Sequence, residues 1–232
     1  MLPALSSIAT QQANFTKHTM AKVNKFLKYA STHPHVIITY HASDVVLVVH
    51  SDASYLSELK ARSRAGGHFF MSSDTDTPPN NGAVMTIVQI IKAVMSSAAE
   101  AELAALFINC QEAVPARHSL EEMGHKQPPT PVQTDNTTAH VVVTNNIASK
   151  RLKSMDMRLC WLRCRAMQGQ FRHFWKPGAT NLGDYPSKHH ATIHHRTIRP
   201  TFLTAKSQLD LLRKCAYGIA TWLCNFFLTQ IA

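Results

Sequence analysis

Four carboxylates in this sequence stand where an ordinary surface acid would not. Asp52 closes the apolar run VVLVVHSD, and a carboxylate at the edge of a buried strand is costly unless something compensates it. Metal ions would do so. An Asp opening a turn is the plain alternative, and this residue alone leaves both open. Glu100 and Glu102 both lie at the start of a helix that begins near Ser96. Ser97-x-x-Glu100 has the form of a capping box, which gives Glu100 a structural task. Glu102 stands beside Leu103 and four residues before Leu106, flanking the apolar stripe, so it tends toward the sheet and is the better metal ligand. Asp135 follows the short strand PVQT and precedes a helix, while Asp184 lies in NLGDYPSKH. For each of these two, an N-cap is the competing role. Taken together, hard oxygen donors on a first strand, a first helix, a later strand end and a final helix start suit magnesium, with manganese as its substitute. Two such ions roughly 3.5–4 Å apart would clamp the attacking and leaving oxygens of an in-line phosphodiester hydrolysis.

The elements that must position these groups follow from periodicity. Met20, Val23, Phe26, Leu27 and Ala30 share one stripe and predict a leading helix over Thr19–Ala30, closed by His33–Pro34. Val36–Tyr40, Val45–Ser54, Arg64–Ser72 and Ala83–Val88 read as strands, the last three forming an antiparallel meander. The Val45–Ser54 run is apolar on both faces, as in a central strand covered from both sides. Leu103, Leu106, Phe107, Cys110 and Val114 then predict a helix over Ser96–Val114. Pro115 should end it, with a short second helix reaching Met123–Gly124. A strand at Val132–Thr134, a helix over Asn136–Asn146, a basic helix over Ser154–Gln168 and a strand at Gln170–Lys176 complete a mixed α/β order.

Charge narrows the partner. The 232-residue chain carries a net +10, and residues 150–214 hold 14 Lys/Arg against 3 Asp/Glu, so the excess sits in one stretch. Such asymmetry points to a polyanion, with nucleic acid ahead of an anionic membrane surface. The five cysteines are odd in number and include no CxxC pair, which argues against a disulfide framework or a four-cysteine zinc site and fits a reducing compartment. The first residues show no charged-then-apolar signal, so cytoplasm or nucleus is expected. Cys215–Ala232 is largely apolar, but its length and its Asn225 and Gln230 make it marginal as an anchor, and no membrane partner is expected. His189, His190, His194 and His195 crowd together, with His190 and His194 on one helical face. A zinc site there competes with a solvated basic segment. No HExxH glutamate accompanies the histidines, and the solvated segment is preferred.

The motifs HSDASYLSELKARSRAGG, AVMSSAAEAELAAL, VQTDNTTA, KSMDMRLCWLR and NLGDYPSKHH, in that order, resemble the ribonuclease H domain of copia-type retrotransposon polyproteins. The likeness runs from about Val45 to His190, and MLPALSSIA through FLKYASTHP is similar to the end of the preceding reverse transcriptase region. The resemblance implies an α/β, ribonuclease H-like fold, with a five-stranded mixed sheet flanked by helices. It implies residues 1–40 as a connection remnant, 41–199 as the domain and 200–232 as a tail. It implies that Asp52, Glu102, Asp135 and Asp184 are catalytic and hold two magnesium ions. It further implies that an RNA–DNA hybrid is the substrate, that a polymerase region is a companion, and that Lys150, Arg151, Lys153, Arg158, Arg163, Arg165 and Lys188 meet backbone phosphates. The chain departs from the family at Tyr55 and Cys160, and at Pro186, which is expected to disturb the helix start near Asp184. It also has no Tyr-x-Asp-Asp polymerase motif.

Overall fold

The computed structural model describes residues 1–32, 34–144 and 156–205. Its centre is a strand, β2 (Val46–Glu58), in which every residue from Val46 to Ser54 is buried, because packed elements cover both of its faces. β2 pairs antiparallel with β3 (Arg62–Ser72), and β3 pairs antiparallel with β4 (Ala83–Ile90). This is the meander that the alternation and turn residues predict. On its other side β2 pairs parallel with β5 (Thr130–Thr134), which pairs parallel with β6 (Phe171–Trp175). The order β4-β3-β2-β5-β6 is a five-stranded mixed sheet flanked by helices, as the resemblance implies.

The crossover from the β4 edge to β5 is made by α3 (Ala98–Glu122), a helix of 25 residues. Here the structure corrects the sequence reading, because α3 runs through Pro115 without a break. Pro115 is exposed, so the carbonyl that loses its N–H partner meets water. Leu106, Cys110, Ala113, Arg117 and Leu120 form one buried face on both sides of it. Arg117 then fixes the second half by donating to Pro128 O at 2.6 Å, Thr130 Oγ1 at 2.6 Å and Gln127 O at 3.1 Å.

α4 (Thr137–Thr144) and α5 (Asp156–Met167) complete the crossover from β5 to β6 and pack against α3, with Phe107 and Trp161 in an edge-on contact at 5.3 Å. After β6 come α6 (Asp184–Ser187) and α7 (Thr192–Ile198). Pro186 does not disturb α6. It lies in the first turn of a one-turn helix, where no intrahelical N–H is required of it. Near the N-terminus, α1 (Leu2–Ala9) contacts β4 and α6, and α2 (Lys17–Ser31) matches the expected leading helix. A small second ladder joins β1 (Val36–Ile38) to β7 (Leu203–Ala205), antiparallel, so residues on either side of the expected domain limits pair with each other. Among the described residues, no helix is long and apolar enough to cross a membrane. The apolar stretch 215–232 lies outside them.

Candidate active site

β2 delivers Asp52 fully buried, at the register position opposite Gly66 of β3. One turn into α3, Glu102 is also buried and meets the same strand, accepting from the Ala53 N–H through Oε1 at 3.2 Å. Asp135 stands just past the end of β5, and its backbone carbonyl accepts from the Trp175 indole at 2.8 Å. Donor oxygens of Asp52, Glu102 and Asp135 lie within 4.8 Å of one another. The structure thus brings these three sequence-predicted residues together.

The competing structural roles are taken by neighbours. Ser97 caps α3 by accepting from the Glu100 N–H at 3.2 Å, and Glu100 Oε2 accepts from the Ser96 N–H at 2.8 Å. The predicted box is thus present but shifted by one residue on the carboxylate side, and Glu100 is structural. Asn136 caps α4 through Oδ1, which accepts from the Ala139 N–H at 2.9 Å. The capping role that competed for Asp135 is filled by Asn136, and the Asp135 carboxylate is left to the cluster.

Asp184, at the start of α6, is joined to the cluster through a cation. The Lys188 ammonium lies 3.2 Å from Asp52 Oδ1 and is in close contact with Asp184 Oδ1. Lys188 was expected on the phosphate-binding surface, but it bridges two of the four carboxylates. The Ser187 hydroxyl, with its single hydrogen, donates to Asp52 Oδ2 in a close contact, and Asp184 O lies 3.0 Å away as its alternative acceptor. Ser187 escaped the sequence reading.

Close packing brings this segment onto the sheet. A Cβ on Gly66 would lie 2.5 Å from Gly183 O and 2.7 Å from Ser187 Cβ; one on Gly183 would lie 2.7 Å from His50 O. Asn181 donates to Ser51 O at 2.8 Å, and the Leu182 N–H donates to His50 Nδ1 at 3.1 Å. The signal in the sequence was the Gly66–Gly67 pair inside a strand, which marks close backbone approach.

Burial pushes the Asp52 carboxyl up to about 7, with the neighbouring acids adding to the rise and Lys188 and Ser187 opposing it. Glu102 is held well above the carboxylate range, first by burial and then by the charges of Asp52 and Asp135. Burial raises Asp135 as well. A cluster this crowded favours full ionisation only when positive charge is supplied. Glu102 Oε2 is buried without a hydrogen-bond partner among the described residues, and a cation would satisfy it. An all-oxygen donor set with one free buried lone pair fits a hard divalent ion such as magnesium or manganese.

The expected phosphate contacts divide. Arg158 lies over the Phe107 ring at 5.7 Å, and Arg165 lies over Trp161 at 5.2 Å. Arg163 donates to Val142 O at 3.0 and 2.6 Å, closing the end of α4. Lys150, Arg151 and Lys153 lie outside the described residues.

No protein-family model and no curated protein matches the chain. Among solved structures it is similar to LC11-RNase H1, isolated from compost by a metagenomic approach. The identity is 12% and the TM-score 0.46, covering 61% of this chain and 92% of that one. It is also similar to the N-terminal RNase H domain of rv2228c from Mycobacterium tuberculosis, at 17% identity and a TM-score of 0.42, covering 62% and 91%. The protease-reverse transcriptase of prototype foamy virus aligns at 16% identity and a TM-score of 0.35, covering 61% of this chain and 18% of that one.

Proposed function

We propose that the chain is a metal-dependent endonuclease of the ribonuclease H type, cutting the RNA strand of RNA–DNA hybrids, and that it descends from a copia-type retrotransposon polyprotein. The observation that carries this reading is the convergence of Asp52, Glu102 and Asp135 within 4.8 Å, on a sheet of the implied topology, with Asp184 joined to them through Lys188. Asp52, Glu102, Asp135 and Asp184 would hold two magnesium ions, or manganese in their place. When bound, such ions supply an activated water and stabilise the departing 3′ oxygen.

The chain's own residues do the positioning. Ala53 N–H fixes one oxygen of Glu102 and so aims the other into the cluster. The Ser187 hydroxyl holds Oδ2 of Asp52, and the Gly66–Gly183 contact holds the Asp184 segment against the sheet. Lys150, Arg151, Lys153, Arg158, Arg163, Arg165 and Lys188 would meet the hybrid's phosphates, Lys188 by leaving its bridge between Asp52 and Asp184 and Arg163 by giving up Val142 O. Recognition through backbone and 2′-OH groups predicts slight sequence preference. A polymerase region is the expected companion, in the cytoplasm or the nucleus.

One observation favours a second reading, a nucleic-acid-binding remnant without turnover: the Lys188 ammonium already offsets one unit of the negative charge of Asp52 and Asp184. Cleavage of a strand-labelled hybrid by the purified chain, with magnesium, with manganese and with chelator, separates the two. Metal-dependent cutting of the RNA strand, abolished by Asp52→Asn and Glu102→Gln but kept by Glu100→Gln, is the expected result. Binding by a folded chain that cuts under none of these conditions would establish the remnant.

A further inference from the structure

We propose that Asp184, His190 and His194 form a second metal site, distinct in chemistry from the carboxylate cluster and suited to a borderline first-row dication, above all zinc. Their ligand atoms lie within 4.8 Å of one another. A tetrahedral ion with bonds of about 2.0–2.1 Å needs ligand separations of roughly 3.3 Å, so closing the set requires the two imidazoles to rotate out of their near-parallel stack until their in-plane lone pairs converge.

Each ligand comes from a different part of one short segment. Asp184 opens α6, His190 lies in the turn before α7, and His194 is in α7. The two carboxylate oxygens of Asp184 face opposite ways. Oδ1 meets Lys188, and Oδ2 lies 3.3 Å from His190 Nε2, which also donates to Asp184 O at 3.0 Å, a bond and a proton that metal binding through this nitrogen would displace. The imidazoles of His190 and His194 stack with centroids 4.0 Å apart. Tyr185 stacks on His190 at 6.0 Å, and its hydroxyl pairs with Nδ1 of the neighbouring His195 at 2.9 Å.

Donor chemistry sets the choice of ion. Two imidazoles and one carboxylate suit zinc, cobalt or nickel, whereas the all-oxygen cluster of Asp52, Glu102 and Asp135 suits magnesium. Three protein ligands leave one position of a tetrahedral ion to solvent or to a phosphate oxygen. Zinc here and an ion at the carboxylate cluster would compete for Asp184, which belongs to both.

The test is titration of the chelator-treated full chain with zinc against a chromophoric chelator, with cobalt(II) absorption as a second readout. One equivalent is expected. His190→Gln and His194→Gln should each weaken it by more than the roughly 10–100-fold that an outer partner of a ligand is worth. Asp52→Asn should keep zinc while losing magnesium, so failure of this site and failure of the nuclease reading give different patterns. The Cys160→Ser/Cys164→Ser double variant should bind zinc as the unmutated chain does. Zinc retained at full affinity by both histidine variants, or lost with the two thiols, overturns the proposal. So does an unmutated chain that gives no zinc-displaceable cobalt bands, a result that needs no variant to fold.

Discussion

The Lys188 ammonium lies 3.2 Å from Oδ1 of the fully buried Asp52. The same nitrogen contacts Asp184, so one side chain joins the central strand to the last segment of the site. Lys188→Met should therefore destabilise the metal-free chain. The cost is expected at roughly 1–3 kcal/mol, between the values for exposed and buried pairs, because the lysine is partly exposed. Magnesium should recover part of the loss, since the variant's cluster is one charge more negative. Denaturant unfolding with and without magnesium checks both; a variant as stable as the parent without metal would show that the bridge contributes nothing.

Asp135 and Asn136 are neighbours with separate tasks, one in the carboxylate cluster and one capping α4. Asn136→Ala should cost about 1 kcal/mol of stability and leave metal-dependent cleavage in place. Asp135→Asn should do the reverse, removing cleavage with no loss of stability, because it relieves charge in a crowded cluster of acids. Thermal melts and cleavage of both variants decide it, and the opposite pattern would reassign the two residues.

Gly66 has no room for a side chain, because the obstructing atoms include a backbone carbonyl of the Asp184 segment. Gly66→Ala is expected to lose roughly 1–3 kcal/mol, as overpacked positions do, and to lose cleavage as Asp184 is pushed outward. Unchanged melting and unchanged turnover would mean that the segment is not seated on β3.

The pH dependence of the metal-free chain has a defined sign. Burial lifts Asp52 from an ordinary 3.8 to about 7, so the folded state binds this proton more tightly than the unfolded chain. Its contribution is fully present below about 4 and is lost as pH rises through about 7. Glu102 shifts in the same direction. His50, His68 and His173 are depressed by burial and act oppositely at acid pH, so the readout is the difference between the parent and Asp52→Asn, in which they cancel. Melting temperatures from pH 5 to 8 in chelator should show the Asn variant gaining on the parent as pH rises, and magnesium should close the gap. A difference that stays flat across this range would remove Asp52 as the titrating group.

Much of this was legible because burial leaves a clear pattern in sequence. The apolar run that ends in HSD reads as a strand covered on both faces, and β2 is that strand, although Asp52 taken alone also fitted a turn. Glu102 was separable from Glu100 because capping and stripe position make different demands on one helix turn. The length of α3 was not legible, since a proline at an exposed position costs little when the buried face continues on both sides of it. Asp135 could not be separated from Asn136 by type, as either side chain caps a helix well. Ser187 and the inward turn of Lys188 depend on how α6 lands on β3, a tertiary event with no local signature beyond Gly66–Gly67.

The hydrogen bond from Ser187 to Asp52 spans 135 positions of sequence. Asp52 and Glu102 meet where α3 docks on β2, whereas the group that holds Asp52 lies in the chain beyond β5, α4, α5 and β6. Closing that long loop is the slowest kind of contact to form. During refolding, sheet and helix signals should therefore recover before the site does, and a chain caught in that interval would carry two uncompensated acids at the heart of an otherwise native sheet.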